Sequence, residues 1–416
     1  MTKRMSALGL TAVAGLLLTT ACAGGGPAPA ANGLVRVTAP VAAAPAADTR
    51  SAANASAELG LALLGRLGGK GDIAVSPASL EGALALLLPG AKGATADEIR
   101  ALLGTRLTGD AYAAALGALR RAELAQAAGD HNDLGYADDL WVQNGLPLRT
   151  PYLRTLAAAF DTGVHTVDFE KDTAGAIAAI NAQVSRETHG LIPTLFQQGS
   201  LDPSTRLALT DALYLHADWA RSFDPGKTAP APFHLADGRT AQVATMTGTG
   251  PVRTGVTADW QTAELPYRGG HLAMELLLPT SPGLQLPTGA QLTAALASVG
   301  GASAVVHLPK FHFSYGQELS ATLQALGVRT MFSPAADLSG IPSDGTGLHV
   351  STVIQRTRVD VDEQGTTAAA ATGIGIAASA EMLPPHEIRF DRPFVFLIRD
   401  VDTGDVLFLG QVTDPR

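Results

Sequence analysis

Residues 366–380 restrict this chain more than any other part of it. They carry no charge and no proline, and every side chain is small or β-branched. A segment of this kind lying on an open sheet edge is an aggregation hazard, so a soluble fold must hold it off edges or take it into a sheet. The flanks hold it: Asp360-Val361-Asp362-Glu363 precedes it and Pro384-Pro385 follows. Alternate residues of a strand share a face. Thr366, Ala368, Ala370, Thr372, Ile374 and Ile376 would form one face, and Thr367, Ala369, Ala371, Gly373 and Gly375 the other. The first face carries two isoleucines able to pack on a core, and the second offers almost no bulk. The pattern predicts a loop between two anchors that is able to become a central strand. An Ala/Gly-rich linker has a similar composition, and the rest of the chain separates the two readings.

Of the 416 residues, 46% are hydrophobic and 16% charged, enough apolar material for a large core. A net charge of −9, with Lys and Arg scattered singly, argues against a nucleic-acid partner. Cys22 is the one cysteine, which excludes an intramolecular disulfide and a cysteine-based metal site. Lys3-Arg4 and the apolar run to Leu18 read as a secretory signal over residues 1–21. Leu18-Thr19-Thr20-Ala21-Cys22 is similar to bacterial lipoprotein processing sites, which would make Cys22 the lipid-bearing first residue of a membrane-anchored protein. An ordinary signal cleaved near Ala21 to Ala23, giving a secreted protein, is the other reading. Residues 22–50, rich in Gly, Ala and Pro, read as a tether. Folded sequence is expected from Ser51, where Leu59, Leu63 and Leu67 recur at helical spacing.

Ser76-Pro77 predicts a helix start, with serine as cap and proline at the first helical position. Thr95, three before Glu98, predicts a capping box. Residues 140–143 and 167–169 read as strands, and residues 180–192 as a helix ended by glycine, with His189 a helix-end residue rather than a ligand.

Glu363-x-Gly365-Thr366-x-Ala368-Ala369-Ala370, followed by Arg389-Phe390-Asp391-Arg392-Pro393-Phe394-Val395-Phe396, resembles the hinge and C-terminal strands of the serpins. These are protease inhibitors whose reactive-centre loop inserts into a β-sheet after cleavage. Ser76-Pro77-x-Ser79, Asp211-Ala212-Leu213-Tyr214 through Trp219, and Val406-Leu407-Phe408-Leu409-Gly410 continue the likeness, about ten fragments in family order. The resemblance implies one α+β domain over residues 51–416. It would have a large central mixed sheet, further sheets, eight or nine helices and an exposed reactive-centre loop.

The resemblance also implies sites. The hinge would be Glu363, Gly365, Thr366, Thr367, Ala368, Ala369, Ala370 and Ala371; the shutter Ser76, Ser79, Asp211 and Gln355; and Trp219 would mark the breach. Asp211 stands where the family usually has asparagine, and Gln355 where it usually has histidine. The expected pairing has Asp211 accepting from the Gln355 amide. A buried carboxylate needs more than one donor, which Ser76 or Ser79 would supply. Counting from Glu363, the reactive bond falls between Ser379 and Ala380, which suits elastase-like or subtilisin-like enzymes. Between Met382 and Leu383 it would suit a chymotrypsin-like one. The implied partner is a serine protease held covalently by a monomeric inhibitor that has no catalytic residue, metal or cofactor of its own. A non-inhibitory member acting as a surface carrier is the second reading, although such hinges tend to carry proline or bulky charge and this one carries neither.

Enzyme motifs do not compete. There is no Gly-x-Ser-x-Gly elbow, His-Glu-x-x-His helix or phosphate-binding Gly-x-x-x-x-Gly-Lys loop. His386-Glu387 lacks its second histidine because Phe390 stands there. Gly373-x-Gly375-x-x-Ala378 follows alanines rather than a strand.

Overall fold

The structure is a computed structural model that describes residues 33–366 and 386–416, apart from Lys70, Pro251, Leu284, Ala302 and Ser303. Among the described residues the helices are α1 (Ala46–Leu67), α2 (Pro77–Leu87), α3 (Gly93–Leu102), α4 (Gly109–Gly129), α5 (Thr150–Phe160), α6 (Thr173–Glu187), α7 (Gly289–Ala297) and α8 (Ser320–Ala325). The strands of the N-terminal half are β1 (Gly33–Val35), β2 (Ile73–Val75), β3 (Asp133–Tyr136), β4 (Asp139–Gln143), β5 (Val164–Val167) and β6 (Leu207–Asp218). Then come β7 (Ala229–His234), β8 (Thr240–Gly250), β9 (Arg253–Val256), β10 (Trp260–Pro266), β11 (Leu272–Pro279), β12 (Ala304–Pro309) and β13 (Phe311–Glu318). The chain closes with β14 (Thr352–Val361), β15 (Gly365–Thr366), β16 (His386–Arg389), β17 (Phe394–Asp400) and β18 (Val406–Val412).

Three sheets result. The largest runs β1-β5-β4-β6-β15-β14-β13, with β3 pairing onto β6. A second runs β2-β18-β17-β11-β10-β9, and a third β16-β12-β8-β7. Strand β6 reads almost continuously apolar because both of its faces are covered. On one side α6 lays Ile177, Ile180 and Val184 against Trp141, Ala208 and Ala212. On the other, α2 is buried along its whole length.

Local chemistry accounts for the helix ends. The Ser76 hydroxyl accepts from Ser79 N at 3.1 Å and Pro77 takes the first helical position. Helix α6 starts on Asp172, which accepts from Gly175 N at 2.9 Å, and the chain leaves it through Gly190 at φ +81°. The capping box expected at Thr95 and Glu98 does not form, because α3 begins two residues earlier, at Gly93. Thr95 Oγ1 instead accepts from Asp337 N, and Glu98 accepts from the Arg329 and Thr330 amides at 2.8 and 2.7 Å. Both side chains tie down a distant loop, which is invisible to local spacing.

The Ser51 start also moves. Helix α1 begins at Ala46, and Gly33–Val35 pairs antiparallel with β5 at the edge of the large sheet. The described part of the expected tether is therefore structured from Gly33. The Arg121 guanidinium donates to Ala42 O at 3.1 Å and Arg36 pairs with Asp161. Backbone pairing onto an open edge needs little side-chain pattern, so composition alone suggested free chain.

Candidate functional site

Strands β6 and β14 are parallel neighbours over only part of their length. Residues 352–356 pair with residues 208–212, from Thr352↔Ala208 to Arg356↔Ala212. Beyond that the two strands part, and β15 occupies the far end of the gap. It is antiparallel to both, with Gly365 opposite Asp218, and Thr366 opposite Ala217 and Val361. Gly365 and Thr366 of the expected hinge already lie in the sheet.

Each neighbouring residue explains part of that placement. A Cβ on Gly365 would fall 2.0 Å from Ala217 O, so only glycine lets the backbone pass here. Asp362 Oδ1 accepts from the Gln364 and Gly365 amides and closes the turn. Thr366 is 2% exposed, and its hydroxyl meets Tyr267 Oη at 2.5 Å. Tyr267 stacks on Trp219 at 4.6 Å between ring centres. Trp219 in turn donates its indole N–H to Asp362 O at 2.9 Å and its amide to Gln364 O at 2.8 Å. Glu363 accepts from Lys310 Nζ at 2.7 Å and Thr228 Oγ1 at 2.8 Å. Burial works against the Glu363 carboxylate, yet those two donors hold it below its ordinary value.

Toward the other end, where β6 and β14 still touch, lies a buried polar bridge. Gln355 Nε2 donates to Asp211 Oδ2 at 2.9 Å and to Ser76 O at 2.8 Å, while its Oε1 accepts from Ser76 N at 3.0 Å. The expected Asp211–Gln355 pairing is present, and Gln355 also clamps the N-terminus of α2. The serines do not share one role. Ser76 caps α2, and the Ser79 hydroxyl donates to Asp138 Oδ1 at 2.5 Å while also lying close enough to Asp211 to favour its carboxylate. Asp138 is held by Arg120 Nη2 at 2.6 Å. Asp211 is fully buried and its Oδ1 has no hydrogen-bond partner. Burial, with the Asp138 charge beside it, pushes the Asp211 carboxyl well above its ordinary value.

Asp138 and Arg120 belong to this site, and sequence reasoning missed both. The available signal was a charge inside an apolar pattern: Asp138 immediately before the buried run of β4, and Arg120 beside the buried Leu116 and Leu119 of α4. Thr367, Ala368, Ala369, Ala370, Ala371, both expected reactive bonds (Ser379 with Ala380, Met382 with Leu383) and Cys22 lie outside the described residues. Among the described residues no three acidic, histidine or cysteine side chains gather as a metal site, and no helix is long and apolar enough to cross a membrane.

The large mixed sheet is parted at one end, and Gly365 and Thr366 lie in the gap between β6 and β14. The family model for serpins (serine protease inhibitors) matches residues 54–415. Iripin-3 of Ixodes ricinus is 35% identical over 354 residues, 82% of this chain and 88% of its own length. Serpin-Z7 of Hordeum vulgare is 34% identical, over 83% and 90%. Among solved structures, native protease nexin-1 with heparin matches with a TM-score of 0.78 and 27% identity, over 88% of this chain and all of its own. The thermophilic serpin tengpin in its native state gives 0.82 and 23%, over 92% and 99%. This chain belongs to the serpin family, and its fold is the serpin fold. The family's members are protease inhibitors rather than catalysts.

Proposed function

We propose that the protein traps a serine protease as a covalent acyl-enzyme by inserting its cleaved loop between β6 and β14. The observation that carries this reading is the register of β15. Thr366 opposite Ala217 and Val361 is the first rung of an antiparallel strand lying between two parallel ones. Carried forward residue by residue, the same register sets Ala368 against Leu215 and Val359, and Ala370 against Leu213 and Thr357. Thr372 would then meet Asp211 and Gln355, the polar bridge itself, and Ile374 would meet Leu209 and Val353. Small residues would enter among bulky ones, a hydroxyl would arrive where hydrogen bonds are broken, and an isoleucine would fill an apolar layer. The strand is complete near residue 376, ten rungs or about 33 Å from Thr366 at ~3.3 Å per residue.

The chemistry belongs to the protease. Its serine hydroxyl adds to the Ser379 carbonyl, the bond to the Ala380 nitrogen breaks with a proton passing to that nitrogen, and an ester remains. Insertion then competes with hydrolysis of that ester. A serine at the cut favours an elastase-like or subtilisin-like target. A cut between Met382 and Leu383 would leave a longer free segment and favour a chymotrypsin-like one. The inhibitor acts as a monomer after export, either anchored to a membrane by lipid on Cys22 or secreted.

Incubating the full chain with each protease type tests this. The expected result is a complex that survives denaturing electrophoresis, with release of a C-terminal peptide beginning at Ala380 or Leu383. Clean loop cleavage without a complex, for every protease tried, overturns the inhibitory reading and favours the carrier one.

A further inference from the structure

Arg120 brings one positive charge into a buried group of carboxyls. Its Nη2 reaches Asp138 Oδ2 at 2.6 Å and Ala78 O at 2.9 Å, and its guanidinium carbon lies 4.1 Å from the centre of the Tyr136 ring. Glu81 of α2, Glu123 of α4, Asp211 of β6 and Asp405 just before β18 complete the group, all at 2% exposure or less. Among the described residues neither oxygen of Glu81 has a hydrogen-bond partner, although Glu81 sits in the middle of an otherwise uncharged helix. Glu123 receives the Tyr136 hydroxyl at 2.7 Å on one oxygen, while its other oxygen is unpartnered and its carboxyl lies within hydrogen-bonding reach of Asp405. Helix α2 is shaped for the group: a Cβ at Gly82 would fall 1.9 Å from Arg120 Nη2 and 2.1 Å from Asp138 Oδ2.

Every element around the group contributes. Helix α1 supplies Ser56, whose hydroxyl accepts from Val406 N at 2.8 Å. Helix α4 adds Tyr112 and β3 adds Tyr136. Asp138 stands just before β4 and Asp139 at its start, with His165 of β5 and Glu187 of α6 beside it, and the last hairpin adds Asp400 beside Asp405. Among the described residues, the cation that acts most on this group is Arg120, which favours the charged forms of Glu81, Asp138, Asp211 and Asp405 and feels the charge of Glu123. Five buried negative charges against one positive charge are not sustainable in a low-dielectric interior, and carboxyls in that position hold protons instead. Burial pushes Glu81, Glu123 and Asp211 well above the ordinary range and Asp138 to about 6.

We propose that this cluster is a proton-loaded latch on the β6–β14 seam: protonated, it holds α2 in place beneath Gln355, and proton loss at rising pH loosens α2 and lets the seam part. The mechanical link is short. Ser76, Ser79, Glu81 and Gly82 lie within two turns of α2 and its cap, and Asp138 binds both Ser79 and Arg120. The sign follows from linkage. Carboxyls whose folded values are raised bind more protons in the folded state, so their stabilisation is whole below about pH 4 and is lost as pH rises toward the folded values.

Hydrogen exchange on the full chain tests the latch. Protection of the β14 amides of residues 352–356, corrected for intrinsic exchange, is followed from about pH 5 to about pH 9. It should fall with pH by up to tenfold per unit for each proton released. The fall should be reduced in E81Q and, separately, in D405N. Seam protection that is flat with pH in the wild type, or that falls as steeply in both variants as in the wild type, overturns the proposal. A measurement without variants guards against misfolding. The infrared band of protonated carboxyl groups should persist in the native wild type at neutral pH and through the range in which seam protection falls, bleaching only as that fall levels off; its absence at neutral pH overturns the proposal as well.

Discussion

Replacing Thr366 with arginine should turn the inhibitor into a substrate. Thr366 is 2% exposed in the gap between Ala217 and Val361, with its hydroxyl on Tyr267. Removing that hydroxyl leaves the buried Tyr267 phenol unpaired, at a cost of about 1–3 kcal/mol. Forcing an unpartnered guanidinium into the same layer costs about 3–5 kcal/mol. The native variant avoids that cost by withdrawing residue 366 from the gap, whereas insertion must carry it back. Taking only about 3 kcal/mol as this added barrier, the inserting branch slows by about 150-fold relative to deacylation, which the substitution does not touch. If about 95% of wild-type acyl-enzymes are trapped, a partition of about 20 to 1, on the order of one in ten is trapped in the variant. The assay mixes each protein with a limiting amount of a serine protease and compares denaturant-stable complex with cleaved inhibitor on one gel. Thr366→Ser, which keeps the hydroxyl, is the control and should retain the complex. Complex formation by T366R at the wild-type yield would show that residues entering this gap need not be uncharged, and would refute the insertion argument.

Three further outcomes follow from other contacts. Gln355→Ala removes three hydrogen bonds, one across the seam to Asp211 and two to Ser76, and orphans the buried Ser76 amide, so the urea midpoint should fall by the equivalent of about 1–3 kcal/mol. Gly82→Ala drives a methyl into the Arg120–Asp138 pair and should cost about 1–3 kcal/mol by the same measurement; an unchanged midpoint would mean that the ion pair can move aside. A chain starting at residue 46 should unfold at a lower temperature than one starting at residue 33. The shorter chain loses β1, the Ala42–Arg121 contact and the Arg36–Asp161 pair, and equal midpoints would assign that segment no structural weight.

Much of the fold was legible because serpin features are written as local composition. The charge-free hinge, the Ser-Pro helix start, the apolar run of β6 and the Phe-rich final strands each declare themselves within about ten residues. The Asp211–Gln355 pair was also readable, since a carboxylate and an amide at paired positions have one sensible hydrogen bond. Arg120 and Asp138 were not. A charge on an apolar helix face carries no address for its partner, and these two are brought to Ser79 by elements far apart in the chain.

The same division holds for the molecule as a whole. Sequence by itself determined the class of structure, the hinge that can enter a sheet without burying charge, and the absence of disulfide chemistry, because these depend on residue type and short-range period. Only the tertiary structure decided that Gly365 and Thr366 already sit between β6 and β14, that Ser79 donates to Asp138, and that five carboxyls gather around one guanidinium. Those outcomes depend on which backbones come within a few ångströms and which charges lose their water together. Such proximities arise when distant segments pack, and no window of sequence contains them.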